Sequence, residues 1–327
     1  MEVERVSKEL EKERALRKEE HALMDVRMRE LQDARAYLTT EDTISGEEIK
    51  GMTEALNTEI YQVAALMVDT LDFDAKVSED REAQAVAARC IGEHLVRALS
   101  GGEPKDDSEE ETRHLATLAA IQASLVESCS SMINAWALSP EVSDHFARLY
   151  ANIRHTCTPA VAGRWRVMTR ARCKYLGSDT EVEEYLTRVL LGNLVPVLVV
   201  AGWKPFPVMQ IENAISALGQ RFGTRMVQVG KKLVRLDKAM GEGIISKDAA
   251  IGWIPGGAPF DPNIMENAFG KSSGISAEDF VLSTCDLGLM LSQVIKDREG
   301  AGSDAKAESQ ILLKPKVVLY SSLSEHK

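Results

Sequence analysis

The sequence predicts a mainly α fold: a long N-terminal coiled-coil helix, then a multi-helix bundle, then a small loop-rich C-terminal part containing one or two short strands. Three observations carry that reading. Residues 1–38 hold no Gly or Pro and place 19 charged residues in the first 35 positions. From Ser45 to Met240 apolar residues recur at three- and four-residue intervals between recognisable helix caps. After Gly241 glycine and proline crowd in, and the last apolar stretch is rich in Val and Leu. Aromatics make up only 5% of the chain, so its interior draws on Leu, Val, Ile, Met and Ala, which suits helices better than sheets.

In the first segment, residues 1–38, the apolar positions are Val3, Val6, Leu10, Leu16, Leu23 or Met24, Met28, Leu31 and Leu38. Their spacing alternates between three and four, but Glu13, Arg17 and Glu20 occupy would-be seam positions. A sustained seam makes helices supercoil, whereas a shift of this kind marks a stutter. Two readings stand: a pairing arm, or a single solvated helix held by ion pairs such as Glu4–Lys8 and Glu13–Arg17. The candidate seam is Met24, Met28, Leu31 and Leu38, which would make residues 24–38 a homo-oligomer contact and leave 1–20 as an exposed extension.

Thr39 to Gly46 breaks the pattern. Ser45 with Glu48 three residues on reads as a capping box, followed by Ile49, Met52, Leu56, Ile60, Met67 and Leu71 on one face. Ser78 can cap a further helix running to Leu99 and closed by Gly101-Gly102, so residues 45–100 read as a helical hairpin. Residues 101–111 read as an acidic linker, since Glu103 to Glu111 holds six acids and one lysine. Residues 112–240 read as a helical bundle. Its stripes are Leu115, Leu118, Ile121, Leu125, Cys129, Met132 and Trp136, then Val182, Leu186, Val189 and Leu190 behind a second capping box at Ser178 and Glu181, then Ile211 through Met240. Ser139-Pro140 and Thr158-Pro159 start two more helices, and Pro196, Pro205 and Pro207 punctuate the region after Leu190. Residues 241–327 read as Gly/Pro-rich loops, one helix around Ala277–Lys296, and a C-terminal strand in ILLKPKVVLYSSL. That strand needs a partner, near Ile244-Ile245, near Ile251–Ile254, or in another chain.

The net charge of −11 argues against a chain that binds nucleic acid over its whole surface and against docking to anionic membranes. Five scattered cysteines without a CxxC pair read as reduced thiols, which points to the cytoplasm, with the nucleus as the alternative. The N-terminus is charged from residue 2, unlike a signal peptide, and the apolar run Val189–Trp203 is too short to span a bilayer.

Motifs for chemistry are scarce. The six histidines form no HExxH and no zinc spacing with cysteine, and His155 and Cys157 read as ordinary helix-end residues. There is no GxSxG elbow, and Cys129 lies on an apolar stripe, where a thiol is inert. Gly241-Glu-Gly243 and Gly256-Gly257 read as turns, not phosphate cradles. No catalytic, metal or cofactor-binding residue is nominated. The compositional anomaly is basic: from His145 to Ser178 there is no acid, and Arg148, Arg154, Arg164, Arg166, Arg170, Arg172 and Lys174 give +7. At helical spacing Val161, Trp165, Met168 and Tyr175 share one face, while Arg166, Arg170 and Lys174 line a polar one. Internal acids, from Glu103–Glu111 or the N-terminal helix, can pair with them. Otherwise Arg164, Arg166, Arg170 and Lys174 are the candidate contact for an acidic protein partner.

Several segments resemble an uncharacterised family of fungal helical proteins: LQDARAYLTTEDTISGEEIKGMTEALNTEIYQVAALMVDTL after a charged coil, GAPFDPNIME, and TCDLGLML with the closing ILLKPKVVL. The resemblance implies an N-terminal coiled coil before a helical body and brings no activity with it. FDPNIME followed by LKPKV is also similar to the tail of GrpE-type nucleotide exchange factors, although Met265 stands where those usually carry His. The functional expectation is a non-enzymatic interaction or scaffold protein that displays a docking surface on a coiled-coil arm. The competing expectation is an enzyme of unrecognised type whose groups meet only in the fold.

Overall fold

The computed structural model describes residues 2–38, 41–73, 80–100, 107–175, 177–203, 210–269, 279–295 and 306–324. The chain is mainly α. Its first half runs through α1 (Glu2–Leu38), α2 (Gly46–Thr70), α3 (Arg81–Ile91), α4 (Glu93–Leu99) and α5 (Asp107–Asn134). Next come α6 (Pro140–Thr156), α7 (Pro159–Cys173), α8 (Asp179–Val200) and α9 (Ile211–Lys238), which ends in a π-helical turn at Ala239–Gly243. The C-terminal part holds β1 (Asp248–Gly252), β2 (Glu266–Asn267), β3 (Val281–Asp286), β4 (Gly288–Ile295), β5 (Lys306–Leu313), β6 (Lys316–Leu319) and α10 (Tyr320–Ser324).

Four long helices make the centre. α2 packs on α5 and α9, and α8 packs on the same two, which closes a four-helix bundle. Each contributes a stripe at three- and four-residue spacing: Ile49, Leu56, Ile60, Val63 and Met67 from α2; Ile121, Leu125, Cys129 and Ile133 from α5; Leu186, Leu190, Leu194 and Leu198 from α8; Leu218, Phe222, Met226, Val229 and Leu233 from α9. All are essentially inaccessible to solvent, and each such side chain stabilises the fold by about 1.5–3 kcal/mol relative to exposure. α5 is buried on a second side too. Ala116, Ala119, Ala120 and Ala123 let α3 and α4 approach, making a separate small-residue core with Leu282 and Cys285.

Both capping boxes are present, with Ser45 Oγ accepting from the Glu48 amide and Ser178 Oγ from the Glu181 amide. Pro140 and Pro159 open α6 and α7, but the Ser139 and Thr158 side chains make no cap bond. Several expectations are corrected. Residues 107–111 of the supposed acidic linker form the first turns of α5, where acids favour the positive end of the helix dipole; 101–106 lie outside the described residues. Ser78 also lies outside them, and the observed cap of α3 is Asp80, which accepts from the amides of Glu82 and Ala83. The helix expected to reach Leu99 breaks at Gly92, whose φ of 85° favours glycine. α2 and α3 do not pair as a hairpin; each finds its main partners in the later helices. α8 runs straight through Pro196, because burial among α5, α9 and α3 outweighs one lost backbone bond.

Where a helix was expected around Ala277–Lys296, Val281–Asp286 and Gly288–Ile295 are strands; 277, 278 and 296 lie outside the described residues. Gly288 interrupts the expected helix, and Leu287, Leu289 and Leu291 are buried at period two. The C-terminal strand is two strands broken at Pro315. β5 pairs with β4, which pairs with β1, in a sheet of order β1-β4-β5. β6 lies between β2 and β3 in a second sheet. β1 thus includes Ile251, as expected for a partner, yet it pairs with β4 and not with the C-terminal strand. Asn57 of α2 ties the sheets to the bundle. Its Nδ2 donates to the Leu287 carbonyl at 3.0 Å, and its Oδ1 accepts from the Leu287 amide at 2.9 Å. Among the described residues no helix is long and apolar enough to cross a membrane.

Candidate functional site

The arm is the first candidate. α1 forms because its Glu, Lys, Arg and Leu residues lose little freedom in a helix and no Gly or Pro opposes them. Its 37 residues reach about 55 Å. From Leu10 to Gln32 every side chain is exposed. Met24 is 65% exposed, Met28 56% and Leu31 49%, so three of the four candidate seam residues meet solvent; the Leu38 side chain is outside the described ones. Arg17 donates to Glu13 at 2.9 Å on the surface, a pair worth about 0.3–0.5 kcal/mol. The helix meets the body beside α7.

The basic stripe on α7 is the second, and the structure turns it inward. Arg166 and Lys174 are buried at 6% and 3% exposure, while Met168 of the supposed apolar face is 54% exposed. The reason lies at the end of α5, which has no cation in its last turn to meet its unpaired carbonyls. Arg170 supplies donors to the Ile133 and Ala135 carbonyls at 2.7 and 2.9 Å, and Lys174 to that of Met132. Both cations converge on Asp237 of α9, at 2.6 and 2.9 Å. Arg166 does the same for the turn after α9: it bonds the Ile244 and Lys247 carbonyls and pairs with Asp248. The backbone comes this close because residue 163 is glycine; a Cβ there would collide with the Ile245 carbonyl. Arg164 is half-buried, and its Nε has no hydrogen-bond partner. Three of the four nominated cations therefore have their acids within the chain. Those acids are Asp237 and Asp248, not Glu103–Glu111 or the N-terminal helix.

Burial sets the titration of this cluster. It lowers the Lys174 ammonium from 10.5 to about 8, with Asp237 opposing. It raises the Tyr175 phenol, and the Asp237 charge pushes the same way. Tyr150 is raised by burial, against the pull of Arg166 and Arg154. Arg166 is lowered by burial, with Arg170 and Arg154 adding repulsion. Asp42 fastens the base of the arm to the same turn. It accepts from the amides of Ile245 and Ser246 at 2.6 and 2.9 Å, and although burial opposes it, these bonds hold its carboxyl below the usual range.

Phe146, Tyr150 and Asp248, which the sequence did not single out, complete the cluster with Trp136, Trp165 and Arg154. Trp136, Phe146, Tyr150 and Trp165 pack ring to ring with centroids 5.0 to 6.5 Å apart. Tyr150 donates to Asp248, and Arg154 Nε lies 3.0 Å from the other oxygen of the same carboxylate. The one available signal was Asp237, a lone acid among the six cations of Arg221–Lys238.

A separate cleft of about 550 Å³ is lined by Tyr61, Gln122, Glu266, Asp286 and Lys316 among others. Burial raises the Asp286 carboxyl, opposed by Lys316 at 3.1 Å. The neighbouring Cys285 is buried, donates to the Lys316 carbonyl at 3.4 Å, and has its thiol pKa pushed far up by burial. Cys129 is likewise pushed up to about 12 by burial. Neither thiol offers an accessible nucleophile. Among the described residues no three His, Cys, Asp or Glu side chains group as a metal site. Compared with known proteins, the chain matches no family model, no curated protein and no solved structure.

Proposed function

We propose that the protein is a non-enzymatic assembly factor: α1 pairs with α1 of a second copy, and the bundle is the module that the paired arms display. The observation that carries this is the exposure of Leu10, Leu16, Leu23, Met24, Met28 and Leu31 on one uninterrupted helix standing off a well-buried body. Leu10, Met24 and Leu31 fall on one heptad position, with Arg17 as its polar member. Charge favours a like partner over a strongly charged one. α1 carries nine Lys and Arg against ten Asp and Glu, so two copies can pair without net repulsion. Arg17 and Glu20 weaken the middle of the seam, which places the firmest pairing at residues 24–38, the part nearest the body.

The test replaces Met24, Met28 and Leu31 together by Glu in the full chain and compares molar masses by light scattering. Exposed positions should tolerate the change without unfolding the body, which circular dichroism checks. The wild type is expected above 35.9 kDa and the variant at 35.9 kDa. Equal masses for the two would refute pairing through this segment.

A further inference from the structure

We infer that the cavity between the C-terminal end of α5, α6, α7 and β1 is a binding site for a small oxyanion, a compound bearing a carboxylate or phosphate group. The cavity measures about 210 Å³ and is lined by Arg154, Arg166 and Arg170 against a single carboxylate, Asp248, with Asp237, which Arg170 shares with Lys174, outside the lining. At the ~30 Å³ that liquid water takes per molecule it holds a ligand of about seven waters' bulk.

The three arginines are not equivalent. Arg166 and Arg170 spend their terminal nitrogens on carbonyls and on Asp248 or Asp237, so their charges are fixed and largely desolvated. Arg154 meets Asp248 through Nε at 3.0 Å, and among the described residues no hydrogen bond holds its two terminal amino groups. A guanidinium with both amino groups free presents the fork that binds two oxygens of one oxyanion. Asp248 takes Arg166 and Tyr150 on one oxygen and Arg154 on the other, so one carboxylate charge faces two guanidinium charges. Asp42 also feels Arg166, but it is spent on Ile245 and Ser246 and does not line the cavity. Trp136 and Tyr150 supply an aromatic wall on which the arginines already stack: Arg170 lies 5.4 Å from the Trp136 centroid and Arg154 6.0 Å from that of Tyr150. The bulk of an organic anion would rest there, with its charged end on Arg154. A bound anion also offsets the mutual repulsion of the three cations.

Thermal unfolding of the full chain in inorganic phosphate and, separately, in citrate tests the site, with chloride at matched ionic strength as the control. A ligand that binds only the folded state raises the midpoint in proportion to the logarithm of its concentration. The expected result is a rise beyond chloride in at least one of the two, the responsive arm telling phosphate from carboxylate. Arg154→Gln should weaken the apparent affinity tenfold or more. Its side chain is one-third exposed, so the variant should fold. Should it not, Arg154→Lys keeps the charge, loses the fork, and is expected to weaken binding as well. No rise over chloride in either anion overturns the proposal. So does a rise that survives undiminished in a folded Arg154 variant.

Discussion

At the scale of single residues, Asp237 holds two cations and, through them, the end of α5. Replacing it by Asn leaves Arg170 and Lys174 buried without their anion, a change that costs about 3–5 kcal/mol. Chemical denaturation measures this, and a loss below 1 kcal/mol would show that the carbonyls alone satisfy the pair. Lys174 gives the cluster a pH signature. Its folded pKa of about 8 lies below the unfolded 10.5, so between those values the unfolded chain holds a proton that the folded chain has released. Stability from this group therefore rises with pH through that window. Relative to Lys174→Met, the wild type should gain up to roughly 1.4 kcal/mol per pH unit between pH 8 and 10, read from unfolding curves at each pH. Asn57 is the third such residue. Asn57→Leu strips both polar groups of Leu287 of their partner, at about 1–3 kcal/mol for each group left unsatisfied. None of these pairings was legible in the sequence, because Asp237, Arg170 and Met132 meet only after three helices have packed; only the oddness of one acid among six cations was visible.

At the scale of elements, what was legible was local. Ser45 and Ser178 announce their helices through contacts three residues away, so their capping boxes could be read directly. Ser45→Ala and Ser178→Ala should each cost about 1 kcal/mol. Their effects should add in the double variant, since the two caps share no partner. Elements whose burial comes from elsewhere were misread. β3 is buried along nearly its whole length and shows no alternation, so it passed for helix until Gly288 and the period-two leucines are weighed together. On α7 the internal pairing that the sequence allowed does form, but with Asp237 and Asp248 in place of the acids it suggested: these two acids and the unpaired carbonyls at the end of α5 draw the stripe of three cations inward. Pro196 looked like a stop and is helix, because a buried segment tolerates one missing bond.

At the scale of the whole molecule, the bundle and the sheets each bury a core while leaving single apolar side chains such as Tyr61, Leu66 and Ile211 exposed, whereas the described apolar side chains of α1 are all exposed. That contrast is the basis for the proposed assembly. An isolated helix gains little from exposed ion pairs, and most helical stability in proteins comes from packing an apolar face. The exposed character of the arm was legible from composition alone: residues 1–38 contain no breaker, and their apolar positions are too few to serve a core. What they pack against was not, since a seam is a property of two helices. Sedimentation equilibrium of the wild-type chain over a hundredfold range of concentration tests pairing most directly. The expected result is a mass that climbs from 35.9 kDa toward a whole multiple of it as concentration rises, or stays at that multiple throughout. A constant 35.9 kDa across the range would contradict self-association through α1.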